Sequence, residues 1–270
     1  MLFISTRREL SNEDEIGSTT YWEFTVENQV EIVELRAQLQ LEQVLSRLEG
    51  KSVLVLVHGY NNELEDIVRA YDLIQSKVGR FLNEWYDEVV GFTWPGGDNP
   101  IDWYAPKRRA GVIGPRLARF LTRLSHQPGS IDVMSHSLGA RVVCSALNVL
   151  QANTVRANFL TASAIDNEAI ELGNQYFPGI QRAASESVVF HSRFDGVLKS
   201  AYRIAEWDNP LGLFGPENPA SVIEHLPNTF VANCKNVIRG HGEYKASDAV
   251  YQFIKRWLEG KVTTQFSTVI

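Results

Sequence analysis

The sequence predicts one α/β domain, a three-layer α/β/α sandwich around a mainly parallel sheet. Three observations lead there. Residues 52–57, Ser-Val-Leu-Val-Leu-Val, form a continuous apolar run of strand length, the mark of a strand buried on both faces. Such runs alternate with stretches of helical periodicity, so crossover helices join strands that lie parallel. The chain has 270 residues with no internal repeat or low-complexity linker, enough to bury one core without disulfides or metals. Residues 1–270 therefore read as a single domain.

Leu2-Phe3-Ile4-Ser5-Thr6 and Tyr21-Trp22-Glu23-Phe24-Thr25-Val26 read as edge strands separated by a polar loop. Residues 30–48 place Val30, Val33, Leu35, Leu39, Leu41, Val44 and Leu48 at rough helical spacing before Gly50, and predict a helix. After the strand at 52–57, residues 63–82 predict a long helix with Ile67, Val68, Tyr71, Ile74 and Val78 on one side. Residues 88–94 form the next strand and stop at Pro95-Gly96-Gly97; residues 107–124 form a helix presenting Ile113, Leu117, Phe120 and Leu121. Residues 130–134 are a strand that runs into Ser135, and residues 140–150 a helix packed through Val143, Cys144, Leu147 and Leu150. Two more strands fall at 157–161 and 187–191, and a last strand region at 230–238. An amphipathic helix at 246–258 carries Val250, Phe253, Ile254 and Trp257 on one stripe. Residues 196–228, with Pro210-Leu211-Gly212-Leu213-Phe214-Gly215-Pro216, are the longest irregular stretch and the expected lid or pocket insertion.

Composition narrows the partners. A net charge of -6, with no basic run longer than Lys107-Arg108-Arg109, argues against nucleic acid. Cys144 and Cys234 fall in apolar helical and strand surroundings and read as buried thiols, which fits a reducing compartment. The N-terminal residues lack the pattern of a secretory signal. No apolar stretch reaches the roughly 18 to 20 residues of a membrane span. The expectation is a cytoplasmic protein without stable membrane insertion.

The chemistry concentrates at Ser135-His136-Ser137-Leu138-Gly139, between an apolar strand and an apolar-periodic helix. A strand-to-helix turn with small residues two before and two after a serine is the pattern of a nucleophile elbow, here with Ser135 where glycine is usual. A helix N-cap serine is the competing reading, and the strand–helix context outweighs it. His58-Gly59-Tyr60-Asn61 directly follows the strand at 52–57. A backbone N–H there, at Tyr60 or alternatively Asn61, would form an oxyanion hole with that of Leu138. His58 itself reads as a loop-fixing residue. The general base is expected at His241, in Arg239-Gly240-His241-Gly242-Glu243 after the last strand, because the chain order is nucleophile, acid, base. His126, His136, His191 and His225 are less suitably placed. Two carboxylates could orient the base: Asp195 in Ser192-Arg193-Phe194-Asp195-Gly196, in the more usual position, or Asp166 one strand earlier. Trp94, Trp103, Tyr104 and residues 211–214 are expected to line an apolar pocket.

These residues resemble the α/β-hydrolase superfamily, and in more detail a bacterial family of uncharacterised hydrolase-fold proteins. The likeness rests on Val57-His58-Gly59-Tyr60-Asn61-Asn62, Phe92-Thr93-Trp94-Pro95-Gly96, residues 104–109, residues 135–141 and Ser192-Arg193-Phe194-Asp195, and spans roughly residues 52–258. It implies Ser137 as nucleophile, Asp195 as acid and His241 as base. The expected reaction is hydrolysis of a small-molecule carboxylic ester through an acyl-enzyme on Ser137, with no metal or organic cofactor. A lipase, peptidase or acyltransferase using the same triad, and a non-catalytic binding or scaffold protein of the same fold, are the alternatives.

Overall fold

The computed structural model describes residues 1–27, 31–60, 62–97, 104–127 and 129–270. The chain starts with three strands, β1 (Leu2–Arg7), β2 (Ile16–Glu27) and β3 (Glu31–Leu39), followed by helix α1 (Leu41–Leu48). The alternating part runs β4 (Ser52–Val57), α2 (Leu64–Phe81), β5 (Glu88–Thr93), α3 (Tyr104–Ser125), β6 (Ser130–His136), α4 (Gly139–Leu147) and β7 (Val155–Thr161). Then come α5 (Phe177–Ala183), β8 (Ala184–His191), the short helices α6 (Arg203–Glu206), α7 (Leu211–Phe214) and α8 (Pro219–His225), β9 (Thr229–Asn233), α9 (Asp248–Leu258) and β10 (Phe266–Thr268). A π-helical turn at Leu198–Tyr202 leads into α6.

Among the described residues the strands form one sheet in the order β10-β9-β8-β7-β6-β4-β5-β1-β2-β3. It is parallel from β10 to β1, and β2 pairs antiparallel with both β1 and β3. Helices α2 and α9 pack together over one face; α3 and α4 pack together over the other, flanked by α1 and α5. This is the three-layer α/β/α architecture the alternating runs predict. From Val53 to Val57 no residue of β4 is more than 2% exposed, as befits a strand covered on both faces. Each such aliphatic side chain removed from water stabilises the fold by roughly 1.5–3 kcal/mol.

Two N-terminal expectations are corrected. Residues 30–48 are not one helix: Val30 lies outside the described residues, residues 31–39 form β3, and only residues 41–48 are helical. Val33, Leu35, Ala37 and Leu39 alternate with charged and polar residues at a period of two, and pairing with β2 decides for the strand. The segments read as edge strands are also interior, with β1 between β5 and β2, and β2 between β1 and β3; the edges are β3 and β10. The edge strand β10 and helix α5 went unread, and the irregular stretch at 196–228 is broken into short helices.

The edge of the sheet holding the starts of the parallel strands is tied by a buried carboxylate. Asp132 accepts hydrogen bonds from Arg156 Nε (2.9 Å) and Nη2 (2.6 Å), Tyr86 Oη (2.6 Å) and Ala157 N–H (2.9 Å), so its charge is fully compensated. No helix among the described residues is long and apolar enough to cross a membrane.

Candidate active site

Strand order reverses around β4: the chain goes from β4 to β5 on one side and then to β6 on the other. Open α/β sheets bind ligands beyond the strand ends at such a switch point. Val57 pairs with Ser135, His136 with Thr161, Thr161 with Phe190 and His191 with Asn233. That register brings the segments after β4, β6, β7, β8 and β9 out along one edge, and with them His58, Ser137, Asp166, Asp195 and His241.

Ser137 has a φ of 54°, the left-handed conformation that strains a residue carrying a Cβ. Its N–H donates to Thr161 O (3.0 Å), and its carbonyl accepts from Ala140 N–H (3.0 Å) and Ala164 N–H (3.1 Å), so the end of β7, the segment after it and α4 hold the turn. The turn closes only because its surroundings lack side chains. A Cβ on Gly59 would stand 2.8 Å from Ser137 Cβ, and one on Gly139 would stand 2.4 Å from the His58 carbonyl oxygen. Gly139→Ala is therefore expected to destabilise the protein by about 3 kcal/mol. Gly242→Ala, whose Cβ would meet nothing within 4 Å, should stay within about 0.5 kcal/mol. Urea unfolding of the two variants checks this, and equal midpoints would contradict the close approach.

His241 and Asp195 meet across the site. His241 Nδ1 lies 2.7 Å from Asp195 Oδ2, with the His241 side chain 16% exposed and that of Asp195 fully buried. Asp195 Oδ1 accepts the Leu198 N–H (3.0 Å), which fixes the carboxylate rotamer. The bond to Nδ1–H leaves Nε2, the other ring nitrogen, as the acceptor. His136 Nε2 donates to the His241 carbonyl (2.8 Å), and the two rings lie 4.6 Å apart. Because His136 immediately precedes Ser137, this bond ties the loop of His241 to the elbow. Burial, and next the neighbouring His241, lower the His136 pKa to about 3, so it stays a neutral donor. The contact of His136 with His241 depends on loop path, and no local signal in the sequence marks it.

Asp166 is placed differently. Its Oδ1 accepts the Tyr202 hydroxyl (2.5 Å), and its backbone bridges to Pro210. The structure thus brings Asp195, rather than Asp166, against His241. Leu138 is fully buried, and its N–H makes no hydrogen bond to a described residue. Tyr60 lies just past β4, its carbonyl accepting Asn62 Nδ2 (2.7 Å). Asn61, the other oxyanion candidate, lies outside the described residues. His58 is buried: Nε2 accepts Trp94 N–H (3.1 Å) and Nδ1 faces Gly59 O (2.8 Å). Arg7 holds the same loop from β1, donating to Asn62 O (2.8 Å) and Trp94 O (3.2 Å).

Among the described residues the expected aromatic pocket does not come together. Trp94 is fully buried, stacks on His58 (5.7 Å, 18°) and donates to its carbonyl (2.9 Å), which makes it core. Trp103 lies outside the described residues, and Tyr104 is exposed at the start of α3. Leu211 and Leu213 are fully buried, because Gly212 packs directly on the backbone of Ala162 and Ser163. Both cysteines are free and buried, and burial pushes their thiols up to about 12; neither is a nucleophile.

A strained serine at a strand–helix turn at a topological switch point, whose neighbour His136 bonds the loop of a histidine–aspartate pair, matches the pattern of an α/β hydrolase. The chain belongs to the family of α/β hydrolases of unknown function DUF900, whose model matches residues 33–256. It is 21% identical over 226 residues to the uncharacterized protein alr1448 of Nostoc sp. (strain PCC 7120 / SAG 25.82 / UTEX 2576), covering 63% of this chain and 59% of that protein. It is also similar to the crystal structure of the 2,6-dihydroxy-pseudo-oxynicotine hydrolase, with 12% identity and a TM-score of 0.44, over 91% of this chain and 64% of that one. The chain spans less than two thirds of the length of either.

Proposed function

We propose that the protein is a serine hydrolase of carboxylic esters with Ser137 as nucleophile, His241 as base and Asp195 as acid. The His241–Asp195 bond of 2.7 Å, one loop away from the strained Ser137, carries this reading. In the proposed reaction Ser137 Oγ adds to the ester carbonyl while His241 Nε2 takes its proton. Asp195 holds Nδ1–H and stabilises the imidazolium. The oxyanion faces the N–H of Leu138 and that of Tyr60, each donor contributing about 2.7–4 kcal/mol to the barrier reduction. His241 then gives the proton to the departing alcohol, and water, deprotonated by His241, releases the acid and restores Ser137.

The test is labelling by a fluorophosphonate probe. The wild-type protein is expected to label, Ser137→Ala to lose all label, and His241→Ala to label far more slowly. A folded wild-type protein that stays unlabelled would remove the hydrolase mechanism. One observation favours a second reading, a lipase acting at interfaces: Val197, Ile204 and Trp207 in the 196–228 segment are 50%, 74% and 91% exposed. On that reading, activity rises steeply once an ester passes its solubility limit.

A further inference from the structure

We propose that Arg141 anchors an anion-binding subsite beside the elbow, so that the substrate carries a carboxylate or phosphate group in addition to its ester. The link to catalysis rests on the serine-hydrolase reading; the anion site itself does not. Arg141 lies in the first turn of α4, about one helical turn (~6 Å) beyond Ser137. It is 7% exposed, and its Nη1 donates to the Tyr176 hydroxyl (3.3 Å). Nε and Nη2 are buried without a hydrogen-bond partner among the described residues, and no described carboxylate pairs with the guanidinium. A buried, uncompensated charge is among the most costly features a fold can hold.

The same molecule shows what a structural buried arginine looks like. Arg7, 1% exposed, donates to Trp94 O, Leu10 O, Asn62 O and Glu13 Oε1. Every nitrogen of Arg7 has a protein acceptor, whereas two of the three in Arg141 have none among the described residues. The missing acceptors are those a bound anion supplies.

Arg141 lines an open pocket of about 580 Å³ between α3, α4 and the segment before α5. Lys107, Arg108, Ser145, Gln175 and Tyr176 share that lining, which contains three cationic residues and no acidic one. Lys107 is offset by its pair with Glu206, and Arg108 is exposed at the rim. A guanidinium with two adjacent free N–H groups matches the two oxygens of a carboxylate or phosphate. Serine and tyrosine hydroxyls beside it can complete the shell of a tetrahedral anion.

The experiment measures binding, not turnover, in the Ser137→Ala background, so a failed catalytic mechanism leaves the result readable. Inorganic phosphate and glutarate are titrated at constant ionic strength against chloride, following the melting temperature and the heat of binding. A rise of about 3 °C at a concentration tenfold above Kd is expected for at least one of them. Preference for phosphate or for glutarate tells which anion the subsite takes. Arg141→Met should weaken binding at least tenfold and abolish the rise, while Arg141→Lys keeps part of it. Arg119→Met, which removes an exposed charge from α3 away from this pocket, should leave it unchanged. If neither anion raises the melting temperature of the unsubstituted Arg141 protein, the subsite does not exist. A rise that persists in Arg141→Met equally overturns the assignment.

Discussion

Asp195→Asn is expected to lower kcat about 10⁴-fold without unfolding the protein. Asp195 Oδ1 is committed to the Leu198 N–H, and Oδ2 to His241 Nδ1. In the amide, the oxygen keeps the Leu198 bond, so the NH₂ group must face the histidine. Nδ1 then becomes the acceptor and Nε2 carries the proton, and that tautomer cannot take a proton from Ser137. Asp166→Asn is the paired comparison: its amide oxygen can still accept the Tyr202 hydroxyl, and kcat should stay within about tenfold. Steady-state kinetics on any turned-over ester decides. Reversed sensitivities would transfer the acid role to Asp166.

The second large effect is acid destabilisation beginning near pH 6.5. Burial lowers His136 to about 3 and His191 to about 4, and it holds His58 well below its ordinary value, with the charge of Arg7 adding to the effect. The folded pKa values lie below the unfolded value of about 6.5. Between the two, the unfolded chain binds more protons, so stability is fully present above pH 6.5 and falls as the pH drops. At pH 5 a histidine kept neutral costs about 2 kcal/mol, so His136 and His191 together cost about 4 kcal/mol. His58 acts with the same sign. Against a typical total of about 5–15 kcal/mol, this is a large fraction. Urea unfolding at pH 7.5 and pH 5.0 measures it; equal stabilities would mean that the histidines charge freely in the folded protein.

Much of this architecture was legible in the sequence because its signals are local. The run at 52–57 reads as a buried strand since each of its residues is apolar, and β4 occupies those positions. Ser135 to Gly139 reads as an elbow because only small residues fit at its first and fifth positions, and the Cβ clash at Gly139 gives the reason for the fifth. The reading failed where two periods overlap. Residues 33–39 alternate by two and residues 41–48 repeat by three and four, with no glycine or proline at Gln40 to mark the change. Nothing local marks Arg141 either: its burial depends on how α3 and Tyr176, before α5, pack beside α4.

By itself the sequence determined the order of the elements, the parallel sheet and the positions along the chain where reactive groups leave it. Periodicity, turn chemistry and small-residue requirements act over a few neighbours and are written into the chain. Only the tertiary structure decided which carboxylate meets His241, that His136 grips the loop of His241, that Trp94 is core, and that Arg141 is buried with only the Tyr176 hydroxyl as an acceptor among the described residues. Those outcomes join residues as far apart as His136 and His241, 105 positions along the chain. Strand register and loop path set such distances, through the packing of the whole sheet.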